Sequence, residues 1–300
     1  MKIALIGCGY WGSKIQEYIP EFFNLKYIAD SEFNKNIIWN DKEVEAVIIA
    51  TPINTHYDLT KEALLHDKHV LVEKPITMNS KEARELVELA NQKNLKLAVE
   101  YTQTFSPAII KAANIVNSNT LKIGKLQYIE MSTKHLGRFL DYDVFWLLAS
   151  HHLSILSMFV DILSKDMSFR FRNIMFNEDL CTTGSILFEN IKEDFKGKID
   201  VSLNFPGKEM LINLYGDKGT LKYNPLADKS LELTLYNKKM GALPSGLIEY
   251  FTTFGKYDEY NNLKFSIQYF SDLIYGYELS NIEVAVKITD ILENRMEVLF

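Results

Sequence analysis

Cysteine is scarce in this chain: 300 residues contain two thiols, Cys8 and Cys181. Two are too few for a disulfide framework, which excludes the small stapled folds. Long apolar runs are also missing. Nothing approaches the ~20 apolar residues of a membrane helix, and no basic segment followed by an apolar one stands near Met1. Positive charge is in deficit, with 33 Lys and Arg against 39 Asp and Glu, a formal charge of -6. No basic cluster overrides it, which argues against a nucleic-acid surface. His66, His69 and His135 show no metal-ligand spacing, so no metal is expected. The hydrophobic share of 47% is that of a globular protein, long enough for two domains and expected in the cytoplasm.

The first thirty residues are the most specific. An apolar run, Ile3 to Ile6, meets Gly7-Cys8-Gly9-Tyr10-Trp11-Gly12, and a second run, Leu25 to Ala29, stops at Asp30. Strand, glycine turn, helix, strand and terminal acid make up a dinucleotide-binding fingerprint. Gly7 permits the tight turn, Gly9 clears space for a pyrophosphate, and Gly12 lets helix and sheet approach. The helix start supplies N–H groups for the phosphates. Trp11 is expected either to flank the pyrophosphate or nicotinamide or to serve as core, and Tyr10 is a further expected cofactor contact. Asp30 would accept hydrogen bonds from the adenosine ribose, which favours NAD; Ser31 and Lys35 nearby leave room for NADP. Cys8 fills space within the loop.

Strands and helices keep alternating to about residue 100, the pattern of a doubly wound parallel sheet. Val44 to Ala50 is a strand ending at Thr51-Pro52, and Asn54 is expected to cap the helix after it, which carries His56. His69 to Glu73 is the next strand, stopped by Lys74-Pro75; Asn79 or Ser80 caps another helix, and Leu95 to Val99 returns to strand. Ligands in such sheets sit beyond the carboxyl ends of the strands, so the glycine loop, Thr51-Pro52 and Glu73-Lys74-Pro75 share one rim. Residues 1–104 are assigned to this Rossmann domain. Residues 105–300 are assigned to a second, α+β domain with a large open, mostly antiparallel sheet. Within it, helices are expected over Phe105 to Val116, Val144 to Val160, Tyr260 to Tyr275 and Ile282 to Leu299. Strands are expected near 169–176, 182–188, 195–205, 210–215, 220–223 and 231–236, connected as an antiparallel meander. The sheet's uncovered face suggests a homo-oligomer, dimer or tetramer.

Several segments together resemble the glucose–fructose oxidoreductase, inositol dehydrogenase and rhizopine-catabolism (Gfo/Idh/MocA) oxidoreductase family. They are GCGYWG, YIAD, ATPINTHYDLTKEALL, HVLVEKPITMNSKEA, YTQTFSPAI, GKLQYIEM, FWLLASHHLSIL and INLYGDKGTLKY. The resemblance implies an NAD(P)-dependent enzyme moving a hydride to or from a carbon of a sugar or sugar derivative, nucleotide-linked sugars included. It implies Lys74 as acid/base, with Glu73 holding the nicotinamide ribose and orienting the lysine. Chemistry agrees: hydride transfer at a carbinol carbon also moves a proton on or off its oxygen, and a lysine whose pKa is lowered by burial can carry it.

In the family a helix of the second domain presents an Asp and, four residues later, a His. Here the His is His151, the second catalytic candidate, and Leu147 stands where the Asp would be. His152, a hundred degrees around the helix, is read as a surface or interface histidine. The expected cofactor contacts are Gly7, Gly9, Tyr10, Trp11, Gly12, Asp30, Thr51, Pro52, Asn54, His56, Glu73, Lys74 and Gln103. The expected substrate contacts are Lys74, Tyr101, Arg138 and His151. Leu147 also motivates an alternative, a catalytically silent dinucleotide-binding regulatory protein of the same fold; a third option is NAD-assisted elimination or glycoside cleavage.

Overall fold

The computed structural model describes residues 1–117, 123–137, 142–177, 180–236, 248–253 and 261–295. By packing, the chain divides into two units, Met1–Phe105 with Tyr260–Glu293, and Ser106–Glu259 with Asn294–Phe300.

In the first unit, β1 (Lys2–Ile6), β2 (Asn24–Ala29), β3 (Val44–Ile49), β4 (His69–Glu73) and β5 (Leu97–Glu100) form a parallel sheet in the order β2-β1-β3-β4-β5. Ile3 to Ile6 and Ala46 to Ile49 are buried without alternation, as strands covered on both faces must be. The crossovers carry α1 (Tyr10–Tyr18), α2 (Asn36–Asn40), α3 (His56–Leu65) and α4 (Ser80–Gln92). Asn79 caps α4 as expected, its side chain accepting from the N–H groups of Lys81 and Glu82. Asn54 does not cap α3. It lies in a 3-10 turn, Ile53–Thr55, and Thr55 takes the cap position with its hydroxyl turned back to Thr51 Oγ1 and Pro52 O, 2.7 Å each. Strand order reverses between β1 and β3, which makes that crevice the topological switch point.

The second unit begins with α5 (Pro107–Asn117), Pro107 standing where its missing N–H costs nothing. Its sheet comprises β6 (Leu126–Leu136), β7 (Met167–Asn177), β8 (Leu180–Asn190), β9 (Phe195–Ser202), β10 (Asn204–Gly216), β11 (Gly219–Tyr223), β12 (Leu231–Tyr236) and β13 (Ile248–Thr253). The order is β13-β12-β11-β10-β6-β9-β8-β7. All neighbours are antiparallel except β6 and β9. The expected meander is therefore broken: β6, whose run LQYIEMSTKHL carries no clean alternation, inserts between β9 and β10. The helix expected over 144–160 opens with a π turn, Phe145–Ala149, and continues as α6 (Ser150–Phe159). One sheet face is apolar, with Ile129, Met131, Ile199, Val201, Ile212 and Leu214 buried. The other carries ion pairs, Lys198 to Glu130 and Asp200 and Lys134 to Glu209, each at 3.0 Å.

The last two helices, α7 (Asn262–Ile274) and α8 (Ile282–Glu293), were expected in the second domain. They pack on the first. Leu263, Ile267, Phe270 and Leu273 form one stripe of α7 and join Ile3, Leu5, Ile15, Ile48 and Leu71 in a single core. Asn281, ahead of α8, pairs with the free edge of β5: its Nδ2 donates to Val99 O at 2.7 Å and its Oδ1 accepts from Val99 N–H at 2.9 Å. Glu293 accepts from Asn79 Nδ2 and Ser80 N–H at the start of α4.

Candidate active site

The candidate residues of the first unit stand at the carboxyl ends of β1 to β5. Gly7 has φ +104, and a Cβ there would lie 2.3 Å from Ala50 O. A Cβ at Gly12 would lie 2.0 Å from Gly7 O, so only glycine lets α1 approach the loop. Gly9 differs: a Cβ there meets nothing within 4 Å, and no side chain caps the first turn of α1. Bare backbone at the N-terminal end of a helix, with open space before it, is a cradle for a pyrophosphate. Tyr10 and Trp11 are 60% and 49% exposed beside it, with the Lys14 ammonium 4.6 and 5.6 Å from their rings. Asp30 ends β2 and is exposed; its Oδ1 accepts from Glu32 and Phe33 N–H, and Lys35 Nζ reaches its carbonyl at 3.3 Å. The residues present thus fit a dinucleotide.

His56 ties two of the rim segments together. It is 1% exposed, and its ring lies between Pro75 O, 2.8 Å from Nδ1, and Thr51 O, 2.8 Å from Nε2. Burial and the nearby Lys74 charge hold its pKa below the ordinary histidine value, against the pull of the two carbonyls. His56 is thus a fastener behind the rim. The Lys74–Pro75 peptide is cis.

Lys74 follows β4 directly. It and Glu73 are half-buried, while Glu100, at the end of β5, is only 1% exposed. Glu73 and Glu100 are register partners on adjacent strands, and the charges of both act on the Lys74 amine. Glu73 Oε2 accepts the Lys74 N–H at 3.2 Å, and Glu100 Oε2 accepts from the Thr102 hydroxyl at 2.5 Å. Glu100 Oε1 is buried without a hydrogen-bond partner among the described residues. Desolvation pulls the Lys74 amine below the usual lysine range, opposed by both carboxylates. Desolvation also pushes Glu73 up, assisted by the charge of Glu100 and opposed by Lys74. Glu100 rises for the same first reason, against the hydroxyls of Thr102 and Ser266 and the Lys74 charge. Sequence reasoning missed Glu100. The available signal was that the run Leu95 to Val99 ends in an acid, just as His69 to Val72 ends in Glu73.

Thr51 is half-buried, Pro52 and Asn54 are exposed on the same rim, and Gln103 is half-buried in the 3-10 turn Thr102–Phe105. Tyr101 is 1% exposed, its hydroxyl buried without a partner among the described residues, and burial raises its pKa. In this structure Tyr101 is a core residue rather than an open substrate contact.

In the second unit, Leu147 and His151 are half-buried while Val144 to Trp146, Leu148 to Ser150 and His152 to Leu156 are buried, so the two share one accessible face. Asp143, the acid before this segment, is engaged by Arg295 Nη1 at 2.7 Å and by the Phe145 N–H. His152 is not at the surface. It is 1% exposed, its Nε2 lies 2.8 Å from Thr133 Oγ1, and burial lowers its pKa to about 4. Arg138 lies outside the described residues. Among the described residues no group of His, Cys, Asp or Glu is placed to hold a metal ion, and no helix is long and apolar enough to cross a membrane.

Residues 16–101 match the model of an oxidoreductase family with an NAD-binding Rossmann fold, GFO_IDH_MocA. This is the family the motifs resemble, and the match takes in Asp30, Thr51, His56, Glu73, Lys74 and Glu100. An uncharacterized oxidoreductase of Schizosaccharomyces pombe is 36% identical over 99 residues, 33% of this chain and 26% of that protein. The chain spans about a quarter of the length of the curated relatives it first matches. Solved structures extend the likeness to the whole fold. UDP-N-acetylglucosamine 3-dehydrogenase from Acidithiobacillus ferrooxidans superposes with TM-score 0.83 at 18% identity, covering 98% of this chain and 96% of that one. A levoglucosan dehydrogenase in complex with NADH gives TM-score 0.81 at 14% identity, covering 98% and 95%.

Proposed function

We propose, on the premise that this chain carries the NAD-binding Rossmann domain of the GFO_IDH_MocA oxidoreductases, that it is an NAD(P)-dependent oxidoreductase of sugars. Its substrate is a carbinol or carbonyl carbon of a sugar or sugar derivative, nucleotide-linked sugars among them. The observation that carries this reading is Lys74: a desolvated, half-buried amine at the rim of the sheet, one strand from the switch-point crevice and beside two carboxylates.

The nicotinamide dinucleotide, when bound, supplies the hydride acceptor or donor. Backbone N–H groups of the Gly9–Gly12 turn hold the pyrophosphate, Asp30 binds the adenosine ribose, and Glu73 binds the nicotinamide ribose. Tyr10, Trp11, Thr51, Pro52, Asn54 and Gln103 border the dinucleotide, with His56 packed behind. Oxidation needs a base: neutral Lys74 takes the hydroxyl proton and becomes ammonium as hydride leaves the carbon. Reduction needs an acid: the ammonium polarises the carbonyl and returns that proton. Depression of the lysine pKa brings both forms toward working pH. His151, an imidazole on the accessible face of its helix, is the second catalytic candidate of this reading. Leu147 stands where the family's Asp would be, so that helix offers this reading an imidazole and no carboxylate, and the proton chemistry is assigned to Lys74. The silent regulatory alternative rests on Leu147, but a buried lysine and two carboxylates are costly to retain for binding alone. The same reading includes a homo-oligomer formed through the uncovered face of the second sheet, for which light scattering of the purified chain is the check.

The test is Lys74→Ala against a panel of free and nucleotide-linked sugars. Loss of turnover by a factor of about 100 or more with NADH binding retained is expected, roughly 3 kcal/mol of barrier. Turnover within tenfold of the parent would refute the role of Lys74.

A further inference from the structure

Glu100 belongs to the site by geometry yet has no part in the chemistry above. Strand register sets it opposite Glu73. It is 1% exposed, one of its oxygens is held by the Thr102 hydroxyl, and the other is buried without a hydrogen bond among the described residues, the nearby Ser266 hydroxyl donating instead to Leu263 O at 2.8 Å. An ionised carboxylate in such a place is costly unless a cation answers it. Lys74 is the cation beside it. Among the described residues, the charged and titratable groups that act on that amine are Glu73 on its own strand and Glu100 on the next, and its charge in turn reaches His56 on α3. Ser266 on α7 brings only a hydroxyl near Glu100.

Desolvation drives all three groups toward their neutral forms, while the charge of each carboxylate favours the Lys74 ammonium. We propose that Glu100 is a positioning residue for Lys74: it supplies the second anion that keeps the amine protonated in a desolvated crevice and so sets the pH at which the proton moves. This rests on the oxidoreductase reading for its catalytic meaning, but the electrostatic claim stands without it. When Lys74 takes a proton from a substrate hydroxyl, the ammonium formed neutralises a carboxylate already in place, and no water need enter to solvate it. Desolvation favours the neutral amine and the two carboxylates favour the ammonium. Glu100→Gln therefore makes the ammonium easier to deprotonate and moves the Lys74 titration to lower pH.

The experiment follows Lys74 directly, by NMR of the full chain carrying lysine labelled with carbon-13 at the ε position. The resonance is assigned by its absence in Lys74→Ala. In Glu100→Gln the midpoint is expected to fall by about one pH unit or more, the usual effect of losing an opposite charge at close range. Glu100→Asp restores it most of the way, and the basic limb of kcat/KM shifts with the titration. Should Glu100→Gln not fold, Thr102→Val, which removes the hydroxyl stabilising the carboxylate, shifts Lys74 in the same direction by less. An unmoved midpoint in the folded variant overturns the proposal. NADH affinity is expected to stay within about threefold. A moved midpoint in a protein that turns over no sugar sinks the oxidoreductase reading and leaves Glu100 its role; turnover with an unmoved midpoint does the reverse.

Discussion

The imidazole of His56 reaches Pro75, its Nδ1 2.8 Å from the carbonyl oxygen, while the opposite ring nitrogen faces Thr51 O. A single buried side chain thus fixes the distance between the segment that follows β3 and the one that carries Lys74. His56→Ala leaves the buried carbonyl that the ring donates to without its partner and opens a cavity. It is expected to cost about 2–4 kcal/mol of stability and to weaken NADH binding through the displaced rim. Urea denaturation and a fluorescence titration with NADH measure the two effects. Unchanged values in both would show that the rim is held elsewhere.

Gly9 and Gly12 separate binding from folding. A methyl at Gly12 would collide with Gly7 O, whereas one at Gly9 projects into open space. Gly9→Ala is expected to leave stability within about 0.5 kcal/mol and to abolish measurable NADH binding. Gly12→Ala is expected to lose both, with a destabilisation of roughly 2–3 kcal/mol. Thermal unfolding with and without NADH distinguishes them: the Gly9 variant keeps its Tm and loses the ligand-induced rise.

His152 makes the fold sensitive to acid. Its folded-state pKa, about 4, lies below the ordinary value of 6.5. Between those limits the unfolded chain takes up a proton that the folded chain refuses. The contribution is therefore fully present above about pH 6.5 and is lost as pH falls toward 4, a change on the order of 3 kcal/mol. Denaturation midpoints at pH 7 and pH 4.5 should differ more in the parent than in His152→Gln. Equal differences would assign the acid sensitivity to other groups.

What the sequence made legible was local. Ile3 to Asp30 reads as a fingerprint because each part acts within a few residues of the next, and the structure gives Gly7 and Gly12 the steric roles assigned to them. Asn79 announced its cap for the same reason. Features that depend on distant partners were hidden. Leu126 to Leu136 mixes Glu130, Lys134 and His135 with Ile129 and Met131, so its place between β9 and β10 shows only once those strands are aligned. Glu100 gains meaning from register with Glu73, twenty-seven residues earlier, which no periodicity in either strand reveals. The sequence makes His152 a surface or interface residue because helical angle says which way a side chain points, not what covers it. Leu263, Ile267, Phe270 and Leu273 displayed their stripe plainly, but nothing local named the sheet it would cover.

That last stripe sets the order in which the molecule can be completed. The nucleotide-type sheet has all its strands by residue 100, yet one of its faces and the Val99 edge wait for residues 262–293 to arrive. During synthesis at the ribosome, the earliest-made sheet therefore stays unsealed until more than 150 further residues have emerged. The second unit waits as well, since it takes in residues 294–300 along with 106–259, and Arg295 reaches Asp143 at 2.7 Å.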